Sequence, residues 1–305
     1  MRVSYKDIIV RLLQIITIVL ISMYFINMYR SVSAVKISFS YNNIWAIIVS
    51  IGLISIGFLL LPIPTLVLLR SVGKEINFVS SMKIFFFSEV GKYMPGKIWV
   101  VVGRVMMYSK MGVDRERAIF ILALELFLMI FTAIILPGTI IIHYITLNYT
   151  ILGILIFFIL IILYLITWRY QITIERIGKY IYIFTRPAIT IFFVFTLFWM
   201  VLGGAFQCLV LFLTQINIGF FHSMQIFSAS WAAGFLAFFM PLGLGVREVF
   251  MTELLVPVMG NENAFLIAVG SRIWWTFIEA TFILFSSGKM FSVFLRTNTL
   301  PEIIK

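Results

Sequence analysis

The amino-acid sequence predicts an all-α protein that crosses a membrane several times. Of its 305 residues, 62% are hydrophobic and only 11% are charged, whereas soluble domains have about 25% charged residues. Several apolar runs approach the ~20 residues that a helix needs to cross the hydrocarbon layer of a bilayer. We therefore expect a single membrane domain, residues 1–305, whose helices are joined by short loops.

Six segments are long and apolar enough to be spanning helices. They are Ile8–Met28, Ile44–Leu69, Ala118–Ile142, Ile151–Trp168, Ile189–Leu213 and Ala264–Ser287. Pro62 and Pro64 predict a kink in the second segment, because Pro has no backbone donor. No small-residue cleavage pattern follows the basic amino terminus, so we expect the first helix to be retained rather than removed as a signal peptide.

The basic residues predict how the chain is oriented. Sixteen of the 23 lie in flanks on one side of the predicted spans, and only Arg30 and Lys36 lie in loops on the other side. The richly basic side is normally cytoplasmic. We therefore expect a multi-pass protein of the cytoplasmic membrane with both termini in the cytoplasm. Contact with anionic lipid explains the net charge of +11, so no nucleic-acid partner is expected.

Two further apolar stretches are too short on either side of a break to be simple spans. They are residues 81–107, broken at Pro95 and Gly96, and residues 221–255, broken at Pro241, Gly243 and Gly245. Irregular backbone at membrane depth is tolerated where protein or water satisfies it. We predict two re-entrant helical hairpins that face the interior of the bundle. The alternative is a pair of amphipathic helices on the membrane surface.

The two halves of the chain share one plan. Residues 1–143 and 144–305 each contain two predicted spans, a Pro-broken hairpin and a third span with an ionisable residue. Because each half has an odd number of spans, the second half would begin on the side of the membrane opposite to the first. The two hairpins would then enter the membrane from opposite faces. Interrupted short segments at matching positions of an inverted repeat indicate the binding site of a transporter.

Ionisable residues are concentrated near the two predicted hairpins and in the third and sixth spans. A charge at the bilayer centre costs about 2.5–3.5 kcal/mol, so such residues pair with one another or bind something. The predicted substrate-binding residues are Lys97, Arg104, Glu125, Arg247, Glu248, Arg272 and Glu279. Cations beside short-helix amino termini suit a phosphate. The alternative is a set of interhelical ion pairs, such as Arg272 with Glu125 and Arg247 with Glu279.

Other residue types narrow the range of functions. The two histidines, His143 and His222, are far apart in the sequence, so we expect neither a metal site nor a cofactor. No Gly-rich phosphate-binding loop with the following Lys and Ser or Thr is present, and ATP hydrolysis is not expected. Trp274 and Trp275 closely follow Arg272 in the sequence and are expected to stack on it or to line a lipid path.

Two motifs carry a family resemblance. They are Gly-Lys-Tyr-Met-Pro-Gly-Lys at residues 91–97, followed by Gly103-Arg104 and the helix from Met111-Gly112 to Glu125, and Pro-Leu-Gly-Leu-Gly-Val-Arg-Glu at residues 241–248. With them the chain resembles the transmembrane domain of the lysylphosphatidylglycerol synthase and flippase family. The resemblance extends from Ser81 to Ser287.

The resemblance implies a function in lipid translocation, since aminoacyl transfer in that family belongs to a separate soluble domain. This sequence ends at Lys305, so we expect the flippase-like part alone, which is not an enzyme. The leading hypothesis is a translocator of an anionic phospholipid or polyprenyl-phosphate-linked lipid across the cytoplasmic membrane. One alternative is a transferase acting on lipid-linked substrate, with Glu89 or Glu248 as general base. Another is an accessory subunit of a lipid or glycan synthesis complex, and a homodimer is an assembly that the sequence leaves open.

Overall fold

A computed structural model describes residues 43–93, 98–138, 174–237 and 243–297. Regular structure in these ranges is helical, without strands, which confirms the all-α prediction for the described part of the chain. The predicted spans Ile8–Met28 and Ile151–Trp168 lie outside it.

Helices and one 3₁₀ turn make up most of the described ranges. Their bounds are α1 Ile44–Leu60, α2 Pro62–Ser71, α3 Phe78–Glu89, a 3₁₀ turn Val90–Tyr93, α4 Ile98–Lys110, α5 Arg115–Ile135, α6 Ile174–Thr214, α7 Phe220–Leu236 and α8 Val246–Thr297. Helix α8 consists of two segments that meet at Gly260, whose φ of 76° and ψ of 169° are not helical.

Four of the described segments are long and apolar enough to cross a membrane. They are Ile44–Ser71, Arg115–Ile135, Ile183–Thr214 and Val246–Ser286. The first combines α1 and α2, which meet at Leu61 just before Pro62. Because Leu61 has helical φ and ψ of −58° and −36°, the kink at Pro62 stays a prediction. The protein is therefore an integral membrane protein, as predicted. The total number of spans stays a prediction, because two of the six predicted ones are not described.

Helix α6 is the centre of the bundle and packs against α1, α2, α5, α7 and α8. Buried polar contacts join these helices: the Ser50 hydroxyl donates to the Ala205 carbonyl oxygen at 2.7 Å, and the Trp199 indole N–H donates to Thr132 Oγ1 at 3.1 Å. Such bonds between helices are the usual means of satisfying polar side chains in a bilayer. Trp199 is only 1% exposed, so the centre of the bundle is closely packed.

The outer face of the bundle is strongly apolar. Phe193, Phe277 and Phe285 are among its large exposed side chains, with exposed fractions of 65%, 69% and 87%. A soluble protein rarely exposes large contiguous apolar areas to water. This face is suited to contact with lipid chains.

The structure has helix pairs where the two hairpins were predicted. Helix α3 with the 3₁₀ turn packs against α4, and α7 packs against α8. Pro95, Gly96 and Pro241 lie outside the described residues, whereas Gly243 and Gly245 adopt left-handed φ values of 64° and 82°. Such values favour Gly because it lacks a Cβ atom.

One boundary differs from the prediction. The second arm of the 221–255 hairpin continues past Leu255 into the predicted sixth span, and only the bend at Gly260 divides them. Gly260 permits this sharp bend without an intervening loop. Whether the pairs re-enter the membrane, and whether residues 1–143 and 144–305 are inverted repeats, stay predictions.

Candidate functional site

Arg104 on α4 is the centre of a buried polar cluster. Its Nη1 donates to Glu125 Oε1 at 2.5 Å, its Nη2 to Glu89 Oε1 at 3.1 Å and its Nε to Ser88 Oγ at 3.0 Å. The guanidinium is 4.5 Å from the centre of the Phe85 ring, and Arg104 is only 2% exposed. All three of its nitrogen atoms therefore have protein partners.

Glu125 on α5 is held from both sides. Besides the bond from Arg104, its Oε2 accepts a hydrogen bond from Thr65 Oγ1 at 3.3 Å. The Tyr108 hydroxyl lies 3.5 Å from the same Thr65 oxygen. Helices α2, α4 and α5 are thus joined by one hydrogen-bonded network, which satisfies a carboxylate that would otherwise be costly to bury.

Lys92 in the 3₁₀ turn connects this cluster to the other half of the chain. Its ammonium group forms an ion pair with Glu279 on α8 and lies 3.6 Å from Glu89 Oε2. The Lys92 side chain is 20% exposed and that of Glu279 is 6% exposed. The turn after α3 is therefore fixed to the second segment of α8 by a largely buried charge pair.

Arg247, in the first turn of α8, is surrounded in a different way. It is 3% exposed, and its guanidinium lies 4.7 Å from the Phe227 ring centre and 5.3 Å from that of Trp275. Its Nε and Nη2 atoms are buried and have no hydrogen-bond partner among the described residues. This cation is in contact with aromatic faces, and two of its donors are available to a ligand.

Glu248 stabilises the backbone next to Arg247. Its Oε2 accepts the Gly245 backbone N–H at 2.6 Å, and its Oε1 is 3.6 Å from Arg272 Nε. Because Gly245 has a left-handed φ, the first of these contacts fixes the turn that leads into α8, as an acidic residue in the first turn of a helix commonly does. Glu248 thereby fixes the turn with a hydrogen bond, whereas it interacts with Arg272 by charge alone, because Oε1 has no hydrogen-bond partner among the described residues.

Both helix pairs contain a close approach that requires Gly. A Cβ atom on Gly91 would lie 2.8 Å from the backbone carbon of Trp99, and one on Gly234 would lie 2.8 Å from Arg247 Cβ. Real Cβ contacts are essentially never this short. The 3₁₀ turn is thus pressed against the start of α4, and the end of α7 is pressed against the start of α8.

The structure brings the predicted site residues into two clusters. Arg104 and Glu125 belong to the first; Arg247, Glu248 and Arg272 belong to the second; and Glu279 is the ion-pair partner of Lys92. Lys97 lies outside the described residues. Ion pairs between helices are present, as the alternative expected, but with other partners than the two examples given for it. They join Arg104 to Glu125, Lys92 to Glu279 and Arg272 to Glu248.

Several contributors were not among the predicted site residues. Glu89 and Lys92 are three residues apart in the sequence, a spacing that allows them to meet on a helical turn. Thr65 and Phe227 have no distinguishing sequence signal, because polar and aromatic residues of this kind occur throughout the spans. Trp275 was expected to stack on Arg272 or to line a lipid path, and its ring faces the guanidinium of Arg247 instead.

The described residues contain no group of three or more His, Cys, Asp or Glu side chains arranged to hold a metal ion. Their chemistry is that of guanidinium, ammonium and carboxylate groups at the ends and turns of helices. A buried guanidinium with unused donors can bind an oxyanion with charge-assisted hydrogen bonds.

Residues 8–278 match the family model described as the lysylphosphatidylglycerol synthase TM region. The chain belongs to this family. The pair of α3 and α4, helix α7 and most of α8 lie in the matched range, as do the charged residues of both clusters except Glu279. No curated protein and no solved structure matches the chain. Membership of the family supports a membrane protein concerned with the modification or translocation of lipid, in keeping with the resemblance of the two Pro-Gly motifs.

Proposed function

We propose that this protein translocates an anionic phospholipid or a polyprenyl-phosphate-linked lipid across the cytoplasmic membrane, without hydrolysing ATP. The observation that carries the proposal is the state of Arg247: a buried cation with two donors unpartnered among the described residues. A buried polar group that lacks a hydrogen bond costs about 1–3 kcal/mol, and more if it is charged. A phosphate oxygen would satisfy both donors.

The surroundings of Arg247 favour a ligand that is brought in rather than a permanent protein partner. The other described cations of the site each form an ion pair with a carboxylate. Arg104 pairs with Glu125, Lys92 with Glu279 and Arg272 with Glu248. Phe227 and Trp275 lie against the guanidinium and exclude water from its face. Ion pairing therefore accounts for the neighbouring charges but not for Arg247.

The proposed transport pathway passes between the two helix pairs. Arg247 begins the second arm of one pair, while Lys92 in the turn of the other pair contacts Glu279 on the same helix α8. In transporters with inverted repeats, interrupted helices from both repeats meet at the binding site near the bilayer midplane. We propose that arrangement here, with both termini cytoplasmic.

The test is a lipid-accessibility assay in proteoliposomes that contain purified protein and acyl-labelled phosphatidylglycerol. A membrane-impermeant quencher reports how fast labelled lipid exchanges between leaflets. Wild-type protein should accelerate the exchange, and Arg247→Gln should lower the rate at least about tenfold, as expected when a desolvated charge contact to the ligand is removed. Arg117→Gln is the matched control, because Arg117 is an exposed arginine 3.6 Å from Asp114.

Two results would contradict this proposal. Exchange at the rate of empty liposomes would exclude translocation of this lipid class, and formation of a covalently altered lipid by purified protein would favour the transferase alternative. A third result, equal exchange by wild-type and Arg247→Gln protein, would show that Arg247 does not contribute to the site. An accessory subunit would show no exchange alone.

A further inference from the structure

We infer that Glu248 sets the charge of the head group that the site accepts, so that the site prefers a monoanionic phosphodiester to a dianionic phosphomonoester. This inference rests on the proposed function and deepens it. It assigns Glu248 to a specificity-determining role beside the ligand rather than to contact with the ligand.

The described cations of the site other than Arg247 are each paired with a carboxylate. Direct ion pairs join Arg104 to Glu125, Lys92 to Glu279 and Arg272 to Glu248, while Glu89 is shared by Arg104 and Lys92. Arg247 has no ion pair with a described carboxylate, although Arg272, Glu248 and Glu279 act on it electrostatically. The second cluster by itself contains two cations, Arg247 and Arg272, and one carboxylate, Glu248. It therefore has one positive charge in excess, which matches a ligand with one negative charge.

Glu248 is the carboxylate that limits the positive charge of the second cluster. It is 5% exposed, follows Arg247 directly in the sequence and places Oε1 3.6 Å from Arg272 Nε. It is thus paired with Arg272 and also acts electrostatically on Arg247. A second negative charge on the ligand would be placed in the same low-dielectric region as this carboxylate, where like charges repel strongly.

Glu248 has two effects, a hydrogen bond to the backbone and an electrostatic effect on the arginines, and a substitution can change one without the other. Oε2 accepts the Gly245 N–H and requires only an acceptor, whereas the charge of the group acts on Arg247 and Arg272. Glu248→Gln keeps an acceptor for Gly245 and removes the charge. This substitution therefore raises the net charge of the cluster by one while preserving the turn that positions Arg247.

The experiment compares two acyl-labelled lipids in the same proteoliposome assay at about pH 8, where a phosphomonoester is close to doubly ionised. Phosphatidylglycerol supplies the monoanion and phosphatidate the dianion. Wild-type protein should exchange phosphatidylglycerol faster, and Glu248→Gln should shift the ratio of the two rates about tenfold or more towards phosphatidate. Glu253→Gln is the matched control, because Glu253 is an exposed carboxylate on the same helix, and it should leave the ratio unchanged.

An unchanged ratio in Glu248→Gln would overturn the inference, as would loss of exchange of both lipids in well-folded Glu248→Gln protein. If that variant does not fold, Arg272→Gln decides the question: it removes a positive charge and should shift the ratio towards phosphatidylglycerol, and no shift would overturn the inference. Wild-type protein that exchanges both lipids equally contradicts the inference but not the proposed function. Wild-type protein that exchanges neither contradicts both.

Discussion

Lys92 and Glu279 form an ion pair although they are 187 residues apart in the sequence. The pair joins the turn after α3 to the second segment of α8, and so connects the two predicted halves of the protein. Any rearrangement that separates the helix pairs must break or stretch this contact. It is therefore both a source of stability and a constraint on movement.

Removal of the Lys92 ammonium should destabilise the protein. In Lys92→Met, Glu279 loses its ion pair while remaining largely buried, and we expect the free energy of unfolding to fall by about 1–3 kcal/mol, less than for a fully buried pair because Lys92 is partly exposed. Thermal unfolding in detergent measures the loss. Lys92→Met combined with Glu279→Gln should recover part of it, and strictly additive losses would argue against the pair.

Arg104 should be irreplaceable by Lys. Its three nitrogen atoms reach Glu125, Glu89 and Ser88 in different directions, and a single ammonium group cannot reproduce this fork. We expect Arg104→Lys to lower the free energy of unfolding by about 2–4 kcal/mol, measured by thermal unfolding. Arg117→Lys, at an exposed pair, is the control and should change stability by less than about 0.5 kcal/mol. Equal stability of Arg104→Lys and wild type would show that the fork is not needed.

The close approach at Gly91 should not tolerate a methyl group. Gly91→Ala would place Cβ 2.8 Å from the Trp99 backbone, so the 3₁₀ turn would have to move away from α4, at a cost of about 1–3 kcal/mol. Gly103→Ala on α4 is the matched control, because nothing lies within 4 Å of its Cβ position. We expect that control to be neutral or slightly stabilising, since Ala favours a helix over Gly. The two variants can be ranked by their melting temperatures in detergent.

The helical architecture could be predicted largely from the sequence. Apolar length identified Ile44–Ser71, Arg115–Ile135 and Ile183–Thr214, although the predicted ends differ from these bounds by up to seven residues. Pro62 marked the boundary between α1 and α2. The continuity of α8 was missed because Pro257 and Gly260 resemble a loop in sequence. In the structure, Pro257 lies inside the helix and the single non-helical residue Gly260 absorbs the bend.

The candidate site was predicted as a set of residues but not as a set of contacts. Charges inside apolar sequence identified Arg104, Glu125, Arg247, Glu248, Arg272 and Glu279. Which cation meets which carboxylate depends on how helices distant in sequence are rotated and packed, and spacing along the chain does not contain this information. For the same reason the contacts of Thr65 with Glu125 and of Phe227 with Arg247 could not be anticipated.

The aromatic contacts of Arg247 lead to a prediction about ligand binding. Trp275→Leu removes the ring 5.3 Å from the guanidinium and should weaken lipid binding about threefold to tenfold, in line with about 0.5–2 kcal/mol for a cation–π contact. Trp275→Phe retains an aromatic face and should lose less. Titration of labelled phosphatidylglycerol into detergent-solubilised protein measures the affinities. Equal affinity of the Leu and Phe variants would show that the aromatic face has no part in holding Arg247.

Mass spectrometry of the lipids that co-purify with the protein measures whether Arg247 holds the phosphate of a lipid. Wild-type protein should retain phosphate-bearing anionic lipid in excess of its abundance in the membrane. Arg247→Gln should lose that excess, whereas Arg117→Gln should keep it. The same anionic lipid retained in equal amount by wild-type and Arg247→Gln protein would contradict the account.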